Sequence, residues 1–113
     1  MTAYHNNFYL EKGTSFYKSI SLNNINSLNG ILNIQMIIKE ALYLNNIIKE
    51  YNINNGIMID NQNNEIIIQI SAGDSFDFEH ENYVYEINII DNQGIVTRIL
   101  EGILYIKPGL RNE

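Results

Sequence analysis

Four carboxylates and one imidazole fall within eight consecutive residues, Asp74-Ser75-Phe76-Asp77-Phe78-Glu79-His80-Glu81. Hard oxygen donors at that density are what a calcium-type cation requires. The run lacks the mid-loop glycine of the helix–loop–helix calcium motif, however, and Phe76 and Phe78 interleave the acids. A solvated acidic loop whose two phenylalanines cap the core accounts for it more simply, so no metal ligand is assigned. His5 and His80 have no serine and carboxylate in a recognised triad arrangement, and His5 is assigned to a flexible terminus. Asp60, Asp91 and Glu101 could pair as general acid and base, but their turn positions explain them more simply. There is no Gly-x-Gly-x-x-Gly, no phosphate loop and no paired-histidine helix. These readings assign no catalytic residue, no cofactor and no small-molecule substrate, and a non-enzyme is expected.

The eight tyrosines are a different kind of candidate. Tyr83 and Tyr85 read as core. Tyr4, Tyr9, Tyr17, Tyr43 and Tyr51 read either as buried rings or as interface anchors, because tyrosine offers large contact area at low entropy cost.

The elements that must position these residues are mostly strands. Ile66, Ile68 and Ile70 alternate with Ile67, Gln69 and Ser71, and Tyr83, Tyr85, Ile87 and Ile89 alternate with Val84, Glu86, Asn88 and Ile90. Period two with β-branched and aromatic residues is the signature of a half-buried strand. Asp91-Asn92-Gln93-Gly94 suits a type I turn closed by a glycine at positive φ, so the flanking strands form a hairpin. The returning strand, 95–107, has no cleanly apolar face unless one extra residue is inserted. A bulge at Glu101–Gly102 supplies it.

Upstream, Phe16, Ile20 and Leu22 share a face around Lys18, and Leu32, Ile34, Met36 and Ile38 alternate cleanly. Asn23-Asn24, Asn29-Gly30 and Asn55-Gly56 signal turns, and residues 60–64 form a loop after a short strand at 57–59. One segment resists. Leu44, Ile47, Ile48 and Tyr51 have the spacing of an amphipathic helix, while Asn45-Asn46 suits a hairpin turn, so residues 40–51 read either way. Frequent turns and about seven short strands predict an all-β sandwich or small barrel.

Length and charge bound the rest. The 113 residues fit a single domain (1–113), with flexible ends at about 1–7 and 108–113 and room for a short helical turn at 72–79. With no cysteine, disulfides and thiolate metal sites are excluded. A net charge of −6 and a pI near 4.8 argue against a nucleic-acid partner. No basic start followed by an apolar run opens the chain, and no apolar stretch is long enough to span a bilayer, so neither a signal peptide nor a membrane partner is expected.

The stretch from Tyr83-Val-Tyr-Glu-Ile-Asn-Ile-Ile through Thr97-Arg-Ile-Leu-Glu-Gly102 to Pro108 resembles small virion proteins of tailed bacteriophages. In that group a Tyr-x-Tyr-Asp-Leu strand precedes a turn and a Thr-Arg-Leu-Leu-Glu-Gly strand that ends near a proline. Glu11-Lys12-Gly13-Thr14-Ser15-Phe16 is similar to the group's opening, and residues 66–71 to its next-to-middle strand. Glu86 stands where the group has aspartate, and Pro108 runs into Gly109-Leu110-Arg111, so the terminal docking segment differs. The resemblance implies an immunoglobulin-like antiparallel β-sandwich, like domains of upper baseplate proteins, which favours the hairpin reading of 40–51. It further implies a structural role in the tail, baseplate or neck of a virion assembled in the host cytoplasm. The partners would be other virion proteins in symmetric copies. A capsid decoration protein and a small host-glycan adhesion module are the alternatives.

Overall fold

The computed structural model describes residues 4–21 and 31–108. Its described elements are β1 (Tyr4–His5), β2 (Phe8–Glu11), β3 (Phe16–Ser21), β4 (Ile31–Lys39), β5 (Ile47–Asn52), β6 (Ile57–Asp60), β7 (Glu65–Ile70), α1 (Ala72–Phe76), β8 (Asn82–Asp91) and β9 (Val96–Lys107). Two sheets result. The larger runs β1-β9-β8-β4-β5, with β2 also on β9, and the smaller runs β3-β7-β6.

The alternation seen in sequence is what seals the space between the sheets. Ile66, Ile68 and Ile70 of the small sheet face Ile34, Met36, Ile38, Tyr85, Ile87 and Leu104 of the large one, all at most 2% exposed. Each such side chain contributes roughly 1.5–3 kcal/mol by leaving water, and this dominates what holds the layers together. The expected strands at 57–59 and 66–70 are present as β6 and β7, and residues 61–64 turn between them. Asn64, at φ 55°, takes the left-handed conformation that asparagine tolerates.

The predicted hairpin between β8 and β9 is also present. Gly94 N donates to Asp91 O at 3.0 Å, Asp91 N donates to Ile95 O at 3.1 Å, and Gly94 has φ +82°. Residues 40–51 form a hairpin and not a helix: β5 runs antiparallel to β4, with Tyr51 opposite Met36. The chain reverses at Leu42–Tyr43, where Leu44 N donates to Ala41 O, and not at Asn45-Asn46. The helical spacing misleads because only Tyr51 of its members is fully buried, while Ile47 and Ile48 stay exposed on an edge strand.

Three expectations are corrected. Gly102 lies in an unbroken ladder opposite Tyr85, and the irregularity sits earlier, where Ile87 opposes Leu100 but Asn88 opposes Arg98. Ile99 is the extra residue, and this is why Ile99 and Leu100 are buried in succession. Leu32 is 63% exposed, because the β4–β8 register also shifts between Ile31 and Asn33. Finally, residues 4–7, expected in a flexible end, run beside β9: β1 and β2 pair parallel with it, Tyr4 opposite Leu100 and Phe8 opposite Leu104. The expected turns at Asn23-Asn24 and Asn29-Gly30, Leu22, and the tail beyond Pro108 lie outside the described residues.

Candidate interaction surface

The acidic run 74–81 is split by structure. Ser71 caps α1 by accepting Asp74 N at 3.1 Å, which starts a single helical turn inside the expected 72–79. Asp74 then faces inward to β5: Oδ2 accepts the Tyr51 hydroxyl at 2.9 Å and Oδ1 lies 3.4 Å from Lys49 Nζ. Asp77, Glu79 and Glu81 stay exposed. His80 pairs with Glu40, forty residues away at the end of β4. Among the described residues, no three of Asp, Glu and His converge on a metal-sized site. Phe78 caps the core as expected, at 4% exposure, but Phe76 does not: it is 55% exposed, with the Lys12 ammonium 5.6 Å from its ring centre.

Asp60, Asp91 and Glu101 are not brought together. Asp60 holds its own turn, accepting Gln62 N at 3.1 Å, Asn63 N at 3.2 Å and Asn63 Nδ2 at 2.8 Å. The Asn63 side chain, foremost, holds its carboxyl below the usual range. Asp91 holds the β8–β9 turn through Gln93 N at 2.8 Å and Ile95 N at 3.0 Å. Glu101, expected at a turn like the other two, instead sits mid-strand in β9 across from Glu86, and Arg98 bridges the two at 3.4 Å (Glu101) and 3.2 Å (Glu86). His5 is exposed on β1, opposite Glu101.

Sequence reasoning put Tyr83 and Tyr85 in the core without seeing what their hydroxyls do. The Tyr83 hydroxyl accepts the backbone N–H of Glu79 at 2.8 Å and of His80 at 3.0 Å. The Tyr85 ring stacks on Phe8 at 4.6 Å, and its hydroxyl donates to Asn6 O at 2.6 Å. Ser75 was missed altogether. It is fully buried, accepts Gly13 N at 2.9 Å and donates to Thr14 O at 2.7 Å, pinning the β2–β3 turn onto α1. Lys12 Nζ completes that joint by donating to Phe78 O at 2.8 Å.

What remains exposed is therefore informative. Leu42 and Tyr43 are adjacent, and at 78% and 85% exposure they are the two most exposed large apolar side chains among the described residues. Ile47 and Ile48, where β5 starts after the same turn, are also exposed, at 49% and 41%. Leu42 also lines a depression of about 220 Å³ on the large sheet, together with Ile37, Lys39, Val84, Tyr85, Glu86 and Arg98. Lys39 pairs with Val84, so turn 40–46 shares one end of the sandwich with α1 and residues 77–81, and the Glu40–His80 pair ties them. Of the proposed tyrosine anchors, Tyr43, Tyr9 and Tyr17 are exposed, while Tyr51 is buried.

No family model and no curated protein sequence matches this chain. Solved structures do. The fibronectin(III)-like modules of Clostridium thermocellum CbhA superpose with a TM-score of 0.50 at 8% identity, over 96% of this chain and 94% of that one. The fold is an immunoglobulin-like β-sandwich. CopC from Methylosinus trichosporium OB3b (TM-score 0.49, 11% identity, 94% and 89% of the two chains) is similar over nearly the same extent. So is the extracellular domain of the voltage-gated sodium channel β4 subunit (TM-score 0.46, 15% identity, 97% of both chains). At such identities the likeness concerns the fold alone. Within that fold Tyr83 occupies a tyrosine corner: it stands at the start of a strand, and its hydroxyl holds the backbone a few residues upstream.

Proposed function

We propose that this chain is a non-enzymatic structural module of a tailed-phage virion, in its tail, baseplate or neck, that acts through protein–protein contacts. Residues 83–108 support the virion part, through their resemblance to small virion proteins. The contact part is carried by one observation, the adjacent exposure of Leu42 and Tyr43 beside Ile47 and Ile48. Isolated apolar residues on a surface need no explanation, but four within seven consecutive residues, on one turn and the strand after it, support a binding surface. The carboxylates with acid–base chemistry support a non-catalytic reading, since Asp60 and Asp91 each hold their own turn. Of the exposed rings, Tyr43 and Phe76 stand at one end of the sandwich, but Tyr17 lies on the small sheet and Tyr9 against Tyr105 on the large one. A glycan platform would gather them.

The test is co-sedimentation. Virions of the phage that encodes this chain, purified through a density gradient, are expected to contain it at a constant ratio to the other particle proteins. Its recovery only in the soluble lysate would reject the proposal.

A further inference from the structure

We infer that the Leu42–Tyr43 end inserts its side chains into an apolar pocket rimmed by basic residues on a different protein of the particle. This inference rests on the virion reading above. Three features of the described residues lead to it.

The first is the shape of the contact. Leu42 and Tyr43 project from a turn, so they offer a knob and not a flat face. A tyrosine and an aliphatic neighbour filling a desolvated pocket is the arrangement that dominates binding energy at protein interfaces.

The second is the charge around it. Glu40, Asp77, Glu79 and Glu81 are exposed at this end, with Glu40 paired to His80. Of the cations nearby, Lys49 is taken up by Asp74 and Arg98 by Glu86 and Glu101, so with Lys39 counted the rim is still acidic on balance. The whole chain carries −6. In a two-fold contact between copies, each of these carboxylates would approach a patch that carries the same carboxylates, which opposes self-association. Lysines or arginines on a different partner turn the same rim into attraction.

The third is that strand addition is obstructed. On β5 the register with β4 shifts between Ile38 and Lys39, leaving Ile48 as an extra residue. Lys49, opposite buried Ile38, points to the inner face and is held by Asp74. One edge of the small sheet, β3, has a similar device: Lys18, opposite buried Ile68, lies on the inner face between Phe16 and Ile20. Bulges and inward-facing charges on edge strands block pairing with another strand. The patch beside β5 is thus suited to contact by side chains.

The experiment compares particles assembled with wild-type chain, with the Leu42→Asp/Tyr43→Asp double variant, with Glu79→Lys/Glu81→Lys, and with Tyr17→Ser as control. All four positions outside the control's strand are exposed, so each purified variant is first shown to melt like wild type. Copies per particle are counted by quantitative mass spectrometry, and the free chain is sized by analytical ultracentrifugation. The expected result is a loss of more than about ten-fold for both double variants, with Tyr17→Ser at the wild-type level and the free chain monomeric. Wild-type occupancy of the Leu42→Asp/Tyr43→Asp variant overturns the inference while leaving the virion reading intact. A loss of that variant alone, with the lysine variant retained, overturns the basic rim. A free-chain dimer abolished by Leu42→Asp/Tyr43→Asp overturns it in favour of a second copy. Absence of the wild-type chain from particles rejects the virion reading itself, and the inference with it.

Discussion

A Cβ placed on Gly102 would stand 1.8 Å from the carbonyl oxygen of Asn6. The amino-terminal segment crosses β9 there, between the two stretches where β1 and β2 pair with it. Asn6 N donates to Glu101 O at 2.9 Å, and Asn7 Oδ1 accepts Ile103 N at 3.0 Å, so Gly102 lies under the crossing. Close approach of backbone, and not a bulge, is what this glycine permits.

Gly102→Ala is therefore expected to destabilise the fold by about 3 kcal/mol or more, since backbone must move to admit the methyl group. Gly94→Ala, at φ +82° but with open space around it, is expected to cost about 1 kcal/mol. Urea titrations of both variants check the order. Equal midpoints would contradict the crossing.

That glycine shows where sequence legibility ends. The alternations at 66–70 and 83–89 were readable because one face is buried, and burial imposes period two. The parity break in β9 was readable too, and it correctly demanded an extra residue. Its position was not, because Gly102 offered a local reason for irregularity while its true neighbour, Asn6, lies nearly a hundred residues away in sequence. Phe8 and Leu10 were missed for a related cause: β2 is only four residues long, and its partner is the last strand. The candidate surface was half legible. Tyr43 was named as an anchor among several, but nothing local separated it from Tyr51, which the β4–β5 pairing buries.

The Tyr-x-Tyr pair divides two tasks, and phenylalanine substitutions separate them. Tyr85→Phe leaves the Asn6 carbonyl without the hydroxyl 2.6 Å away, at an expected cost of about 1–3 kcal/mol. It should speed hydrogen exchange in β1 and β2. Tyr83→Phe leaves the Glu79 and His80 amides without their acceptor and should speed exchange at 79–80. Identical exchange patterns for the two variants would refute the division.

Alkaline pH provides a further check. Burial, foremost, pushes the Tyr51 and Tyr85 hydroxyls well above their ordinary value of 10.0, helped by Asp74 at Tyr51 and by the Glu101 charge at Tyr85. The unfolded chain thus loses these protons first as pH rises. Their stabilisation is complete below about pH 10 and is lost above it. The Tyr51→Phe/Tyr85→Phe variant is expected to be less stable than wild type at pH 8, yet to show a shallower decline between pH 10 and 11.5. Parallel declines in urea midpoint would show that these hydroxyls are not shielded.

Ser75→Ala tests the joint between the β2–β3 turn and α1. The buried hydroxyl accepts Gly13 N and donates to Thr14 O, so its removal strands two backbone groups. A loss of about 1–3 kcal/mol is expected in thermal or urea melts. A change below about 0.5 kcal/mol, typical of surface substitutions, would mean that water replaces the serine freely.

The central proposal is that this sandwich is part of a tailed-phage virion. Its most direct test is negative-stain electron microscopy of purified virions of a phage whose genome carries this sequence, labelled with an antibody to this chain. The account predicts label at one fixed location, repeated from particle to particle. Unlabelled particles, from a lysate in which the same antibody detects the chain free in solution, would contradict it.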